Sequence, residues 1–323
     1  MKYSRRLSTP IFVVAMGISI ACGQALCAQI NVSNECCLKI DLTNAEAVLT
    51  ITDQPTNVNG PFDVFFKTNF ADAQGWTWLL RCPPGQTSLV MSNLPPDQCF
   101  YLLGVTNAIR PGFTNFSLPP EDDNPSSNAI LPFTINFFGA AYSNLWVNNN
   151  GNVTFDTYLN QFTPTALNQL KIRIIAPYWG DVDTQNTNSS VVTYGSGMVG
   201  TNNAFGVNWV NVGYYQQLAD KLVSCQLVII DRSSDPSNAP GDFDMEFNYF
   251  KVQWEWGAVS TGSPARVGYS DGTNDYELPG SGVEGAFLDT NGVTGLIYNS
   301  TNSTVPGRYV FYFRNGQPWQ PSP

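Results

Sequence analysis

Two aspartates that follow an aromatic pair are the residues best suited to chemistry. They lie in Tyr178-Trp179-Gly180-Asp181-Val182-Asp183, and in an extended chain their spacing puts both carboxylates on one face. With Asn186 and Asn188 they offer the oxygen ligands that Ca²⁺ prefers, but the EF-hand loop spacing of glycine and glutamate is missing. Asp181 and Asp183 are therefore interpreted as turn caps that accept hydrogen bonds from backbone amides. Ca²⁺ binding is the alternative, and no metal or other cofactor is assigned.

Histidine is absent from the 323 residues, which removes Ser-His-Asp and Cys-His catalysis together with His-ligated zinc. Carboxylate catalysis stays open, because a glycoside hydrolase needs two carboxyl groups across a cleft. The candidates for that alternative are Asp181, Asp183, Glu246 and Glu255. Since carboxylates on exposed strand faces are usually only solvated, we predict a non-enzymatic protein with no catalytic residue.

A stacking surface for sugars is a further alternative, which would make the protein a carbohydrate-binding module. The aromatic residues that would form this surface are Tyr178, Trp179, Trp254 and Trp256. Burial in the core is the commoner fate of such residues, whereas exposed tryptophans would indicate a binding surface.

Composition and charge are typical of an exported β-rich protein. Only 12% of the residues are charged, against 43% hydrophobic and 13% aromatic, so the chain can form a packed core and is not disordered as a whole. The net charge of −10 argues against nucleic acid as a partner, since phosphate binding requires clustered Lys and Arg.

The N-terminus has the organisation of a secretory signal peptide, which we assign to residues 1–28. Lys2, Arg5 and Arg6 form its basic region, Ile11–Ala21 forms its apolar region, and small residues follow near a plausible cleavage point. The apolar run is too short to span about 30 Å of hydrocarbon. We therefore expect a secreted, extracellular protein with no transmembrane span in the mature chain.

Composition and turn residues divide the mature chain into two β units. Residues 29–117 are predicted to form a small antiparallel β-sandwich, because short strand-like runs follow one another at even spacing. A Pro-rich acidic linker at 118–128, a larger β unit at 129–315 and a disordered tail at 316–323 complete the chain. The runs of the first unit are Cys37–Leu42, Ala47–Thr52, Phe62–Lys67, Trp76–Arg81, Thr87–Ser92 and Cys99–Val105.

Period-2 patterning in the larger unit predicts strands with one buried and one solvated face. Residues 243–249, for example, alternate Phe, Met, Phe and Tyr with Asp, Glu and Asn. Leu145–Asn148 and Val153–Phe155 flank Asn150-Gly151, which predicts a β-hairpin with a type I′ turn. One short helix is predicted at 163–170. The fold class is therefore all-β, with two antiparallel β-sandwich-like domains after the signal peptide.

Several motifs occur in order between about residue 130 and residue 313. They are Leu131-Pro132-Phe133, Asn149-Asn150-Gly151, Ala176–Thr184, Gln253-Trp254-Glu255 and Val305–Phe311. Together they resemble the nidogen extracellular domain, a module of basement-membrane nidogens, tectorins and some membrane mucins. This resemblance implies a secreted, non-catalytic module for cell–matrix adhesion. Its partners would be proteins or glycans of the extracellular matrix or cell envelope.

Four cysteines lie in the smaller unit: Cys36, Cys37, Cys82 and Cys99. In an exported protein such an even set favours disulfide bonds. A bridge between adjacent residues strains the peptide, so Cys36 and Cys37 would each pair with Cys82 or Cys99, in either order. Four buried thiols are the alternative. Cys225 lies on the apolar face of a strand-like run and is predicted to be a buried free thiol.

Overall fold

The chain divides into two compact units, residues 1–106 and residues 107–323, which we call the first and the second unit. The structure is a computed structural model that describes residues 107–320 continuously and, in the first unit, a set of strands. These strands are β1 (Val14–Ile18), β2 (Cys37–Thr43), β3 (Glu46–Thr52), β4 (Phe62–Lys67), β5 (Thr77–Cys82), β6 (Ser88–Met91) and β7 (Cys99–Gly104).

The strands of the first unit form two antiparallel sheets, in the orders β1-β7-β4-β5 and β2-β3-β6. All the strand-like runs predicted here are confirmed, with ends that agree to within one residue. The additional strand β1 lies inside the segment predicted as a signal peptide. Val64 and Phe65 of β4 are buried, and Asp63 of the same strand forms a buried ion pair of 2.9 Å with Arg81.

Almost all the regular secondary structure in the described part of the second unit is β-strand. The helix predicted at 163–170 is reduced to a 3-10 helix at Leu167–Gln169. Among the residues that the structure describes, no helix is long and apolar enough to cross a bilayer. The strands are β8 (Phe116–Ser117), β9 (Ala129–Phe137), β10 (Ala140–Asn148), β11 (Asn152–Thr154), β12 (Ile174–Trp179), β13 (Val182–Asp183), β14 (Thr193–Val199), β15 (Asn202–Tyr214), β16 (Leu218–Asp231), β17 (Phe243–Val252), β18 (Arg266–Ser270), β19 (Asp275–Glu277), β20 (Arg308–Arg314) and β21 (Gln317–Trp319).

Two antiparallel sheets of the second unit enclose one core. The larger sheet has the order β21-β20-β17-β16-β15-β14-β8, and the smaller has the order β19-β18-β12-β11-β10-β9. Aromatic rings meet between them: the ring centroid of Phe313 lies 5.2 Å from that of Phe137 and 5.3 Å from that of Tyr269. The predicted all-β antiparallel fold class is confirmed.

Residues 118–128, predicted to be a linker, instead belong to the second unit. Leu118 is buried, and its N–H donates to the carbonyl of Val192 at 2.9 Å. The N–H of Ser126 donates to the carbonyl of Val147 at 2.7 Å. The segment has few apolar residues, but it still packs onto the second unit because its backbone forms hydrogen bonds with neighbouring strands. The boundary between the units therefore moves to residues 106 and 107.

The outer face of the larger sheet is covered as well, which corrects the prediction of a solvated face. The polar residues of β17 that alternate with the core are all buried. Arg232 and Arg314 each bind Asp244 at 2.7 Å, and Arg110 binds Glu246 at 2.6 Å. Period 2 identifies the inner face of a strand, but it does not reveal whether other parts of the chain cover the outer one.

A segment at residues 107–113, which we call the strap, crosses this outer face. Its carbonyls accept hydrogen bonds from the side chains of Gln226, at 2.8 Å, and Asn208, at 3.1 Å. Phe113 is buried against apolar residues of β15 and β16. Gly206 makes room for its ring, because a Cβ at this position would lie 2.4 Å from the Cγ of Phe113.

Replacing Gly206 by Ala therefore tests the packing of the strap. We expect a loss of about 1–3 kcal/mol in the free energy of unfolding, the usual effect of overpacking. Gly292→Ala is the matched control, because its Cβ would meet nothing within 4 Å. Urea unfolding of the two variants measures the difference. Equal midpoints for G206A and the wild type would show that the ring of Phe113 does not press on β15.

Candidate functional site

The hairpin predicted around Asn150-Gly151 is present, but its turn differs from the prediction. Asn148 pairs with Asn152, which leaves a loop of three residues, Asn149-Asn150-Gly151. Only Gly151 of these has a positive φ, of 77°. The type I′ turn was therefore wrong, since it needs two positive φ angles. A single left-handed glycine after a turn is typical of three-residue hairpin loops instead.

Gly151 is required for a backbone contact with β12. A Cβ on this residue would lie 1.7 Å from the carbonyl oxygen of Tyr178. Tyr178 donates its N–H to the carbonyl of Gly151 at 3.2 Å, and Gly180 donates to that of Asn150 at 3.3 Å. The loop therefore forms hydrogen bonds with the backbone of Tyr178 and Gly180, immediately before β13 begins.

Asn149 joins three parts of the chain through one side chain that is fully buried. Its Nδ2 donates to the carbonyls of Val182, at 2.7 Å, Glu121, at 3.3 Å, and Asp122. The carbonyl of Asn149 accepts a hydrogen bond of 2.9 Å from the indole N–H of Trp209. The acidic segment at 121–123 is thus held against β13 by an amide from the hairpin loop.

Asn150, the next residue of the loop, also forms hydrogen bonds with β13 and with the acidic segment. Its Oδ1 accepts the N–H of Val182 at 2.8 Å, and its Nδ2 donates to Oδ1 of Asp123 at 2.7 Å. Thr184 completes this arrangement, because its N–H donates to the carbonyl of Glu121 at 2.8 Å. Backbone and amide groups therefore fix the positions of carboxylates from two distant segments.

These contacts bring Asp122, Asp123 and Asp181 together. One carboxylate oxygen from each lies within 4.8 Å of the other two. Asp181 is 1% exposed, whereas the two others are partly accessible to solvent. Burial, followed by the charges of neighbouring aspartates, raises the pKa of Asp122 to about 7. Burial also raises the pKa of Asp181 to about 6, although a hydrogen bond from Ser260 lowers it.

The two aspartates singled out in the sequence have different surroundings. Asp183 accepts the N–H of Gln185 at 2.9 Å on Oδ1 and that of Gln217 at 2.8 Å on Oδ2, the contacts expected of a turn cap. Asp181 accepts one side-chain hydrogen bond, of 3.0 Å from Ser260, on Oδ2. Of this pair, only Asp181 belongs to the three-carboxylate group.

Sequence reasoning missed Asp122 and Asp123, which were assigned to a linker. The available signal was the acidic run Glu121-Asp122-Asp123 next to prolines. Its meaning depends on the hydrogen bonds from Asn149 and Asn150, which no spacing pattern in the sequence encodes.

The other carboxylates considered for hydrolysis are engaged in structural contacts. Glu246 binds Arg110 through both oxygens, at 2.6 and 2.8 Å, and these contacts, with Arg308, help to lower its pKa despite burial. Glu255 accepts the N–H of Gly285 on both oxygens, at 2.9 and 3.0 Å. Neither carboxylate belongs to the group formed by Asp122, Asp123 and Asp181.

The predicted aromatic surface for sugars does not form. Tyr178, Trp179 and Trp254 are at most 4% exposed and belong to the core. Trp256 is half-buried and lines a cavity of about 250 Å³ together with Tyr214. Burial, the commoner fate of such residues, applies to three of the four.

A second cavity, an open cleft of about 840 Å³, lies where β17, β20 and β21 meet the loop after β16. Arg232 and Arg314 line it, and both bind Asp244 at 2.7 Å. Asp235 and Asp242 line it as well, so the wall of the cleft carries charges of both signs.

Two cysteines can be placed in the structure. Cys225 is a buried free thiol, as predicted. Cys82 is also buried and forms no disulfide with another described cysteine; burial, followed by the charge of Asp63, raises the pKa of its thiol form to about 11. The side chains of Cys36, Cys37 and Cys99 lie outside the described residues, so the bridging of this set stays a prediction. Mass spectrometry of unreduced protein would test it.

Comparison with known proteins gives matches over the same region. The family model described as NIDO related matches residues 106–306. Alpha-tectorin of Mus musculus is 30% identical over 229 residues, which cover 60% of this chain and 10% of alpha-tectorin. Nidogen of Drosophila melanogaster is 29% identical over 228 residues, which cover 60% of this chain and 15% of nidogen. The chain thus spans a small part of each relative. No solved structure matches significantly.

Replacing Gly151 by Ala tests whether the loop contact holds the site together. The new methyl group would clash with the backbone of Tyr178 and would strain a positive φ, so we expect a large loss of stability or of soluble protein. Gly200→Ala is the matched control, because φ is 62° there but nothing lies within 4 Å.

The control should lower the free energy of unfolding by only about 1–2 kcal/mol, the strain of a left-handed alanine. Thermal unfolding and soluble yield give the comparison. Similar melting temperatures for G151A and G200A would contradict the close contact between Gly151 and Tyr178.

Proposed function

The chain belongs to the NIDO-related family, and on this premise we propose that it is a secreted, non-catalytic protein of cell–matrix adhesion. The observation that carries the proposal is the extent of the family match. Residues 106–306 cover nearly all of the second unit, in which most of the buried apolar residues form one large core. The interaction function would accordingly belong to this unit, with an extracellular-matrix or envelope protein or glycan as its partner.

The hydrogen bonds and ion pairs formed by the candidate catalytic carboxylates support a function without catalysis. Glu246 and Glu255 bond arginine and backbone groups through both oxygens. Asp183 accepts two backbone amides. A glycoside hydrolase needs an opposed pair of carboxyl groups, one to donate a proton and one to attack or activate water. Carboxylates bonded in this way are not arranged for that chemistry.

The carbohydrate-binding alternative receives no comparable support. Sugar stacking requires an exposed ring face. Three of the aromatic residues considered for it are core residues. The fourth, Trp256, is only half-exposed, in a small cavity. Adhesion through the exterior of the second unit is therefore the function we propose.

The proposal predicts that matrix binding resides in the second unit. Full-length protein should be recovered from the culture medium of a secreting host. A fragment of residues 107–323 should bind an immobilised extracellular-matrix extract within about threefold of the full-length affinity, because the boundary at residue 107 leaves its core intact. Surface plasmon resonance on one matrix surface measures both.

A fragment that starts at Asn128 is the informative control. It lacks the strap and residues 118–127, whose backbone bonds Val147, Thr184 and Val192, so it should unfold at a lower temperature than the 107–323 fragment. Binding that stays with residues 1–106 would contradict the assignment to the second unit. Retention of the full-length chain inside the cell would contradict secretion.

A further inference from the structure

The acidic group contains buried oxygen atoms that no protein donor satisfies. Oδ1 of Asp181, Oδ1 of Asp122, Oε1 of Glu121 and Oδ1 of Asn149 all lack a hydrogen-bond partner. Asp181 is 1% exposed, Asn149 is fully buried and Glu121 is 8% exposed. Buried polar atoms without a partner are rare in folded proteins, and each requires a physical explanation.

The atoms of Asp122, Asp181 and Asn149 belong to one location. Asp122 and Asp181 are two members of the three-carboxylate group. Asn149 donates hydrogen bonds to the carbonyls of Glu121 and Asp122, which puts its amide beside that group. Three oxygen acceptors without donors, on Asp122, Asp181 and Asn149, therefore occur at the group that also contains the carboxylate of Asp123.

The negative charge of the group is not compensated by the protein. Within the described residues, no Lys or Arg forms an ion pair with Asp122, Asp123 or Asp181. Carboxylates this close to one another repel unless a proton or a cation lies between them.

We propose that Asp122, Asp123 and Asp181, assisted by Asn149, form a Ca²⁺-binding site. Ca²⁺ is bound by oxygen ligands alone, from carboxylates and amide carbonyls, and waters complete its shell of six to eight. These are the ligand types that the group offers. Asp122 and Asp123 are partly accessible to solvent, so a cation has a route to the buried Asp181.

The ligand set favours Ca²⁺ over Mg²⁺. Ca²⁺ accepts six to eight oxygens in a flexible geometry at about 2.3–2.6 Å, so three carboxylates with oxygens within 4.8 Å of one another can share one ion. Mg²⁺ retains its waters and demands near-ideal octahedral geometry, which suits a site with several carboxylates less well.

Calcium titration of the full-length protein after treatment with a chelator tests the site directly. Isothermal titration calorimetry should show one saturable site with a Kd between about 1 µM and 1 mM, the range of Ca²⁺ sensors and extracellular modules. In 10 mM CaCl₂ the melting temperature should rise by roughly 5 °C relative to EGTA. MgCl₂ should bind at least about tenfold more weakly.

Asparagine variants separate a binding role from a structural one. Asp122→Asn combined with Asp123→Asn should weaken Ca²⁺ binding by about tenfold or more, since the charge of the ligands sets the affinity. In EGTA the same variant should melt at or above the wild-type temperature, because like charges are removed. Asp220→Asn, at an exposed position, should leave both quantities unchanged.

Three outcomes would overturn the assignment. The first is the absence of saturable heat or of a thermal shift in the wild type up to 10 mM Ca²⁺. The second is unchanged binding by the Asp122→Asn and Asp123→Asn double variant. The third is a Mg²⁺ affinity equal to or above that for Ca²⁺. None of these outcomes depends on matrix binding, so the site and the proposed function are tested separately.

Discussion

The close backbone contact between Gly151 and Tyr178 is the constraint on which the rest of the second unit depends. It requires a residue without a Cβ that also adopts a positive φ, and glycine alone meets both conditions without strain. The contact buries the side chains of Asn149 and Asn150, whose amides then have to find partners inside the protein. They find them on β13 and on the acidic segment at 121–123.

The second unit can therefore be divided into a scaffold and a site. The two sheets and their aromatic core form the scaffold, while the loop gathers carboxylates at one end of β12. Across the described residues, acidic side chains in other locations are mostly paired with arginine, as Asp244 and Glu246 are, or cap turns, as Asp183 does. The group that includes Asp181 does neither, which distinguishes it from the other described carboxylates.

The sequence predicted the elements well, because hydrophobic alternation and turn residues are local signals. It predicted the all-β class, the strands of the first unit and the hairpin around Gly151. It failed at residues 118–128 and on the outer face of β17, where burial depends on hydrogen bonds between distant segments. It identified Asp181, but not its partners Asp122 and Asp123, since they meet only through the hairpin loop.

Amide hydrogen exchange at the loop tests the central claim most directly. If the Gly151 contact organises the second unit, the amides of Tyr178, Val182 and Thr184, which are bonded to the loop and the acidic segment, open only with global unfolding. They should then exchange as slowly as core amides such as that of Leu227. Exchange at least about a hundredfold faster than Leu227 would contradict this account, because the loop would then open locally while the sheets stay intact.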